Sequence, residues 1–205
     1  KLLSVLDANP DLSVAVLSNL YYRQSVGLLV DRKGLNTQYL EEDKLFTDPD
    51  SFFTCQEDRI WPVTNLVFNK SYLNSIPGLE KCKKKDWIHI YLVLYIAKKF
   101  PKTYIVADSN PIVINRVDVQ KWRNRVDGPR IYWNNIYIHS LMLELGYSSK
   151  TFEKYAKWYL KNRLSDMRFT RPIGLTNKLS YLERYFSIYK NNPKFYLKFL
   201  FKFLF

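Results

Sequence analysis

The stretch "ANPDLSVAVLSNLYYRQ" (Ala8–Gln24) sets the character of the N-terminal half. Asn9 is a favoured N-cap residue, and Pro10 suits a first helical position, where the N–H it lacks would go unused. Together they predict a helix from Pro10 to about Arg23. "SVGLLVD" then reads as a short buried strand, followed by a turn at Gly34. From Phe46 to Pro62, Asp, Pro and Phe mix without a period, and mostly loop is expected. "WPVTNLVFNKSYLNSIPGLEKCKKKD" predicts a short helix around Val67 to Ile76, closed by the Pro77-Gly78 turn, with Lys83-Lys84-Lys85 as an exposed loop.

"DWIHIYLVLYIAKKF" (Asp86–Phe100) is the most apolar segment of the first half. Its fifteen residues are too few to span a bilayer as a helix. A core helix capped by Asp86 accounts for it, with Lys98 and Lys99 at the end where the helix dipole favours cations. "TYIVAD" follows as a second strand, and "NPIVINRVDVQKWRNRV" turns helical toward its end. "DGPR" (Asp127–Arg130) is the clearest break. It divides the chain into an α+β domain over 1–126, a helical domain over 127–190 and an apolar C-terminal helix over 191–205. Beyond the break, helical patterns run over about Ile131–Leu145, Ser149–Leu164, Thr176–Tyr189 and from Pro193 onward.

Composition narrows the partner. At 205 residues the chain is long enough for a real core, and 47% hydrophobic residues argue against global disorder. Lys+Arg 32 against Asp+Glu 19 leaves a net charge of +13, which favours polyanions, nucleic acid foremost. Two cysteines, Cys55 and Cys82, without a CxxC or a His cluster, do not make a zinc site. His89 and His139 each lie in apolar sequence and read as packed residues. No signal peptide is visible, so an intracellular or virion setting is expected. The chain begins at Lys1, which fits a processed product or a fragment. Abundant Lys, Asn, Tyr, Phe and Ile resemble coding from an AT-rich genome such as a virus, plasmid or organelle.

"LMLELGYSSKTFEKYAKWYLKNR" (Leu141–Arg163) carries most of the functional case. Leu141 and Leu145 fall at core positions of a first helix, Gly146 at a turn that needs a left-handed backbone, and Tyr147 beneath it. Ser148 or Ser149 can cap a second helix, in which Phe152, Tyr155, Ala156 and Tyr159 keep an i, i+3, i+4, i+7 stripe. The arrangement resembles the helix-turn-helix group, with Met142 departing from the small residue usual there. Lys150, Lys154, Lys157 and Lys161 share the opposite face and repel one another unless phosphates neutralise them. The resemblance implies that Ser149, Lys150, Glu153 and Lys154 meet base edges. "MRFTRP" would form a wing carrying Arg168 and Arg171 to the backbone. The fold class expected is therefore mainly α with minor β (α+β), ending in a helix-turn-helix, with or without a wing. Its structural counterpart is a helical hairpin with a solvated lysine face.

Catalytic readings are weaker. "LGYSSKTFEKY" also resembles the nucleophile box of tyrosine recombinases, but Tyr147 replaces the histidine, Tyr155 comes one residue early, and no HxxR precedes it. An unassisted phenol with a pKa of about 10 is a poor nucleophile. Asp31, Glu42 and Lys44 have spacing like the metal-binding core of restriction-type nucleases, although a solvated acidic turn explains them as well. No phosphate-cradling Gly-rich loop or GxSxG is present.

The terminal "KFYLKFLFKFLF" spaces Lys194, Lys198 and Lys202 at helical intervals among aromatics, which suits packing, partner docking or a membrane interface. The expectation is non-catalytic binding of nucleic acid, with DNA the favoured form, in replication, transcription or genome handling. Its contacts would be Ser149, Lys150, Lys154, Lys157, Lys161, Arg168 and Arg171. No cofactor, metal site or integral membrane span is expected, and a protein partner or self-association would use the C-terminal helix. The alternatives are a subunit of a viral particle or organellar ribonucleoprotein, and a magnesium-dependent nuclease.

Overall fold

The computed structural model describes residues 2–23, 27–30, 39–56, 59–60, 63–77, 88–116 and 141–163, with helical positions at 183, 186, 193, 197, 200 and 201. These residues form a mixed α/β structure with two mixed sheets. This corrects the expectation of a mainly α protein with minor β and a C-terminal helix-turn-helix, with or without a wing. Four strands, β1 (Val14–Val16), β4 (Lys44–Phe46), β5 (Leu66–Phe68) and β6 (Thr103–Ile105), form one sheet in the order β4-β6-β1-β5. The other three, β2 (Asn19–Arg23), β3 (Leu28–Val30) and β7 (Val113–Arg116), form the second in the order β3-β2-β7. β1 runs parallel to β6 and β2 parallel to β7, while the remaining pairs are antiparallel. The same two chain segments, 14–23 and 103–116, thus pass from one sheet into the other.

The predicted helix over Pro10–Arg23 is therefore two strands. Asn9 acts at the end of a helix, α1 (Leu2–Ala8), where its Nδ2 donates to Val5 O at 2.9 Å and its N–H to Leu6 O at 3.2 Å. Pro10 then blocks continuation, as prolines do shortly after a helix end. β1 is covered on both faces, since Val14 and Val16 enter the main core and Ala15 joins Leu12, Leu17, Tyr104 and Val106 in a second cluster beneath α1. A strand buried on both faces reads as a continuous apolar run without alternation, so its period cannot separate it from a helix.

Other local readings shift for similar reasons. The expected loop after Phe46 contains α2 (Pro49–Gln56), with Asp48 Oδ2 accepting Ser51 N–H at 2.8 Å. The helix expected over Val67–Ile76 divides into β5 and α3 (Lys70–Leu73), separated by Asn69, whose side chain accepts from Ser71 N–H. β3 forms where expected after Gly27 (φ +62), yet Leu28 and Leu29 are about half exposed, so it is not the buried strand foreseen. β7 occupies the start of the segment expected to turn helical, whose remainder lies outside the described residues, as do Gly34, Asp86 and the 127–130 break. α4 (Ile88–Lys99) appears as expected, with Ile90, Tyr91, Val93, Leu94, Ile96 and Ala97 buried and Lys98 and Lys99 in its last turn.

Where the two sheets part, polar side chains are sealed from water. Arg59 Nη2 lies 2.5 Å from Asp108 Oδ2, and both side chains are essentially inaccessible. Arg59 Nη1 also donates to Cys55 O at 2.9 Å. Asp108 accepts from Ser18 Oγ at 3.0 Å and from Leu40 N–H at 2.8 Å. Asn65 Nδ2 donates to Asn19 Oδ1 and to Arg59 O. The cluster is not fully satisfied among the described residues: Asn19 Nδ2 is buried without a hydrogen-bond partner, as is the side-chain amide of Gln56, three positions before Arg59. Removing one member of a buried ion pair leaves an uncompensated charge. Asp108→Asn should therefore lower unfolding free energy by about 3–5 kcal/mol in urea titration. Pairing it with Arg59→Met should recover part of that loss.

Candidate nucleic-acid interface

α5 (Ser149–Arg163) follows a short helical segment, residues 141–144, across the turn at Gly146. Gly146 has φ +81, a left-handed conformation that side chains with a Cβ disfavour. Ser148 caps α5, with its Oγ accepting Thr151 N–H at 3.2 Å and donating to Thr151 Oγ1 at 2.9 Å. Phe152, Tyr155 and Ala156 are buried, as are Leu141, Met142 and Tyr147 before them. All six belong to the main core cluster together with β1, α2 and α4. The turn at Gly146 thus packs on the α/β core.

Two helices hold α5 in place. Phe53 of α2 packs against Tyr147 and Tyr155, with ring centroids 5.7 and 5.0 Å away. The Tyr147 hydroxyl donates to Leu94 O of α4 at 2.8 Å. Burial, followed by the negative charges of Asp50 and Asp48, pushes the Tyr147 phenol well above its ordinary range. That environment suits a packing residue and not an acid or nucleophile. Tyr155, the residue at the nucleophile position in the recombinase comparison, is 5% exposed beside Phe53.

The opposite face of α5 is exposed at Ser149, Lys150, Lys154 and Lys157, with Glu153 partly buried between them. Lys150 and Lys154 form no ion pair among the described residues. Lys161 lies on α5 one turn further on, though its side chain is outside the described set, as are Arg168 and Arg171 in full. The structure therefore brings Ser149, Lys150, Lys154 and Lys157 onto one surface.

Sequence reasoning missed two residues at the start of this surface. Asp50 of α2 accepts Ser148 N–H on Oδ1 at 2.9 Å, and its Oδ2 lies 3.6 Å from Lys98 Nζ of α4. Lys98 Nζ also sits 5.0 Å from the centre of the Tyr147 ring. No local pattern announces this meeting, because the Asp50–Ser148 contact spans 98 positions. Asp50's own signal was the Asp48-Pro49 helix start beside it.

The nuclease candidates are not assembled among the described residues. Glu42 is exposed, Lys44 is exposed on β4 with Nζ 5.2 Å from the centre of the Phe46 ring, and Asp31 is outside the described set. The described residues contain no group of three or more His, Cys, Asp or Glu able to hold a metal ion. They also contain no helix long and apolar enough to cross a membrane. No family model matches the chain, and no curated protein or solved structure matches it either.

Burial opposes ionisation of Asp50, but hydrogen bonds from Thr151 and Ser148 and the charge of Lys98 outweigh it, holding the carboxyl below its ordinary value. A carboxyl more acidic in the folded than in the unfolded chain stabilises the fold above about pH 4. That contribution is lost as pH falls through the folded-state value. Asp50→Asn should therefore reduce stability near pH 7 and flatten its acid-side decline, read as urea midpoints from neutral pH downward.

Proposed function

We propose that the protein binds nucleic acid without catalysis, with DNA the favoured form, through the outward lysines of α5. The observation that carries this reading is the division of α5 into two faces. Phe152, Tyr155 and Ala156 are buried, and Lys150, Lys154 and Lys157 are exposed. The aromatic face fixes the helix rigidly, so the cations are presented in a set orientation rather than on a loose tail. A chain with net charge +13 attracts a polyanion from a distance, and the helical row supplies the short-range contacts. Release of counterions from the phosphates drives such binding, so it must weaken steeply with salt. A role in replication, transcription or genome handling, within a cell or a virion, belongs to the same reading.

A second reading rests on a different observation. At the helical positions near the C-terminus, Phe186, Leu197 and Phe201 are 50%, 61% and 67% exposed. Large exposed apolar side chains, two of them (Leu197 and Phe201) four positions apart, suit a protein partner or self-association, as in a subunit of a larger assembly. This is compatible with nucleic-acid binding.

Titration of a labelled duplex by fluorescence anisotropy at several salt concentrations tests the first reading. The slope of log K against log salt should be less steep by about 2–3 in the K150A/K154A/K157A variant, since each phosphate left without its cation removes about 0.9. An unchanged slope and affinity would remove α5 from the interface.

A further inference from the structure

The helical positions 193, 197, 200 and 201 follow the i, i+4, i+7, i+8 spacing of a single helix face. On that face Leu197 and Phe201 are each more than half exposed, and Leu200 is half-buried. The sequence sets Lys194, Lys198 and Lys202 one position after Pro193, Leu197 and Phe201, at the four-residue interval that follows one side of a helix. From Lys194 to Phe205 every residue but these lysines is Phe, Leu or Tyr. The Tyr196 hydroxyl is the only other polar side-chain group in that stretch. No Asp or Glu occurs from Arg184 to Phe205.

Charge discriminates among the surfaces that could cover this face. A second copy docking through the same face would set lysines against lysines, with no carboxylate side chain in the stretch to pair them. Interfaces with other proteins need hydrogen bonds around an apolar centre, and they are depleted in lysine. A nucleic acid would neutralise the lysines but leave Leu197 and Phe201 in water. An anionic bilayer surface meets both requirements at once. Phe and Leu enter the boundary between headgroups and acyl chains, while neighbouring lysines extend their stems to the lipid phosphates. We infer that the stretch from Pro193 onward docks the protein on anionic phospholipid, lying in the plane of the interface. The net charge of +13 adds a long-range attraction to the same surface. Docking of this kind rests on the exposed apolar side chains of the second reading above and assigns them lipid in place of a protein. It is independent of the α5 lysines.

The test uses the full chain and vesicles of phosphatidylcholine, alone or with about one third phosphatidylserine, scored by co-flotation. The protein should float with the anionic vesicles and bind the neutral ones at least about tenfold more weakly. L197S/F201S changes no charge and, at exposed positions, should keep the parent's circular dichroism. It should lower partition onto anionic vesicles by about tenfold or more. K194A/K198A/K202A should lower it by roughly fivefold per lysine, and K150A/K154A/K157A, with the same change in charge, by clearly less. Binding that survives L197S/F201S, or falls equally in the two lysine variants, would be general adsorption of a basic protein and would overturn the proposal. Absence of flotation with either vesicle would overturn it too and leave the apolar side chains to a protein partner. Sedimentation velocity without lipid checks the remaining occupant. A parent oligomer dispersed by L197S/F201S would assign this face to a second copy and overturn lipid docking, with the second reading intact.

Discussion

Arg59 and Asp108 meet where water cannot reach them, at the seam between the two sheets. Such a pair adds little net stability over a well-packed apolar alternative, because both charges give up hydration to form it. It constrains the chain segments that supply its hydrogen bonds. Asp108 follows β6 and accepts from Ser18, between β1 and β2, and from Leu40 N–H, on the approach to β4. Arg59 returns to the carbonyl of Cys55 near the end of α2. A shifted register at any of these places would leave a buried charge short of a hydrogen bond or of its counterion, so the seam ties four separate stretches of chain to one geometry.

α2 carries that geometry outward. Its last turn is tied to the seam through Cys55, its middle packs Phe53 on Tyr147 and Tyr155, and its first turn holds Asp50 against the cap of α5. α4 completes the support through the Leu94 carbonyl and Lys98. The direction in which α5 shows its lysines is thus set by a series of packed rings and hydrogen bonds leading back to the sheet. Electrostatics at the surface depends in this way on register in the interior.

Helices with one wet face were readable in advance. α5 keeps a 3.6-residue pattern over several turns, α4 announces itself as an apolar run too long for a strand, and Gly146, Ser148 and the aromatic stripe of α5 fall where residue chemistry places them. The strands were harder, because they are only three to five residues long and β1 is covered on both faces. Capping grammar was ambiguous in an instructive way. Asn9-Pro10 and Asp48-Pro49 look alike as dipeptides, yet the first ends α1 and the second begins α2. A polar side chain beside a proline satisfies loose backbone groups at either helix end, so the choice depends on which flanking segment finds a partner.

By itself the sequence determined the net charge, the identities of the two faces of α5 and the left-handed turn before it. These follow from residue chemistry within a few positions, where neighbours on the chain are neighbours in space. Only the tertiary structure decided that Val14–Val16 is a strand, that Arg59 faces Asp108, and that a carboxylate from α2 stands at the start of α5. Those outcomes join residues 49 to 98 positions apart. Burial, and not local propensity, selects among them, because only the assembled core determines which polar groups still have a partner once water has been excluded.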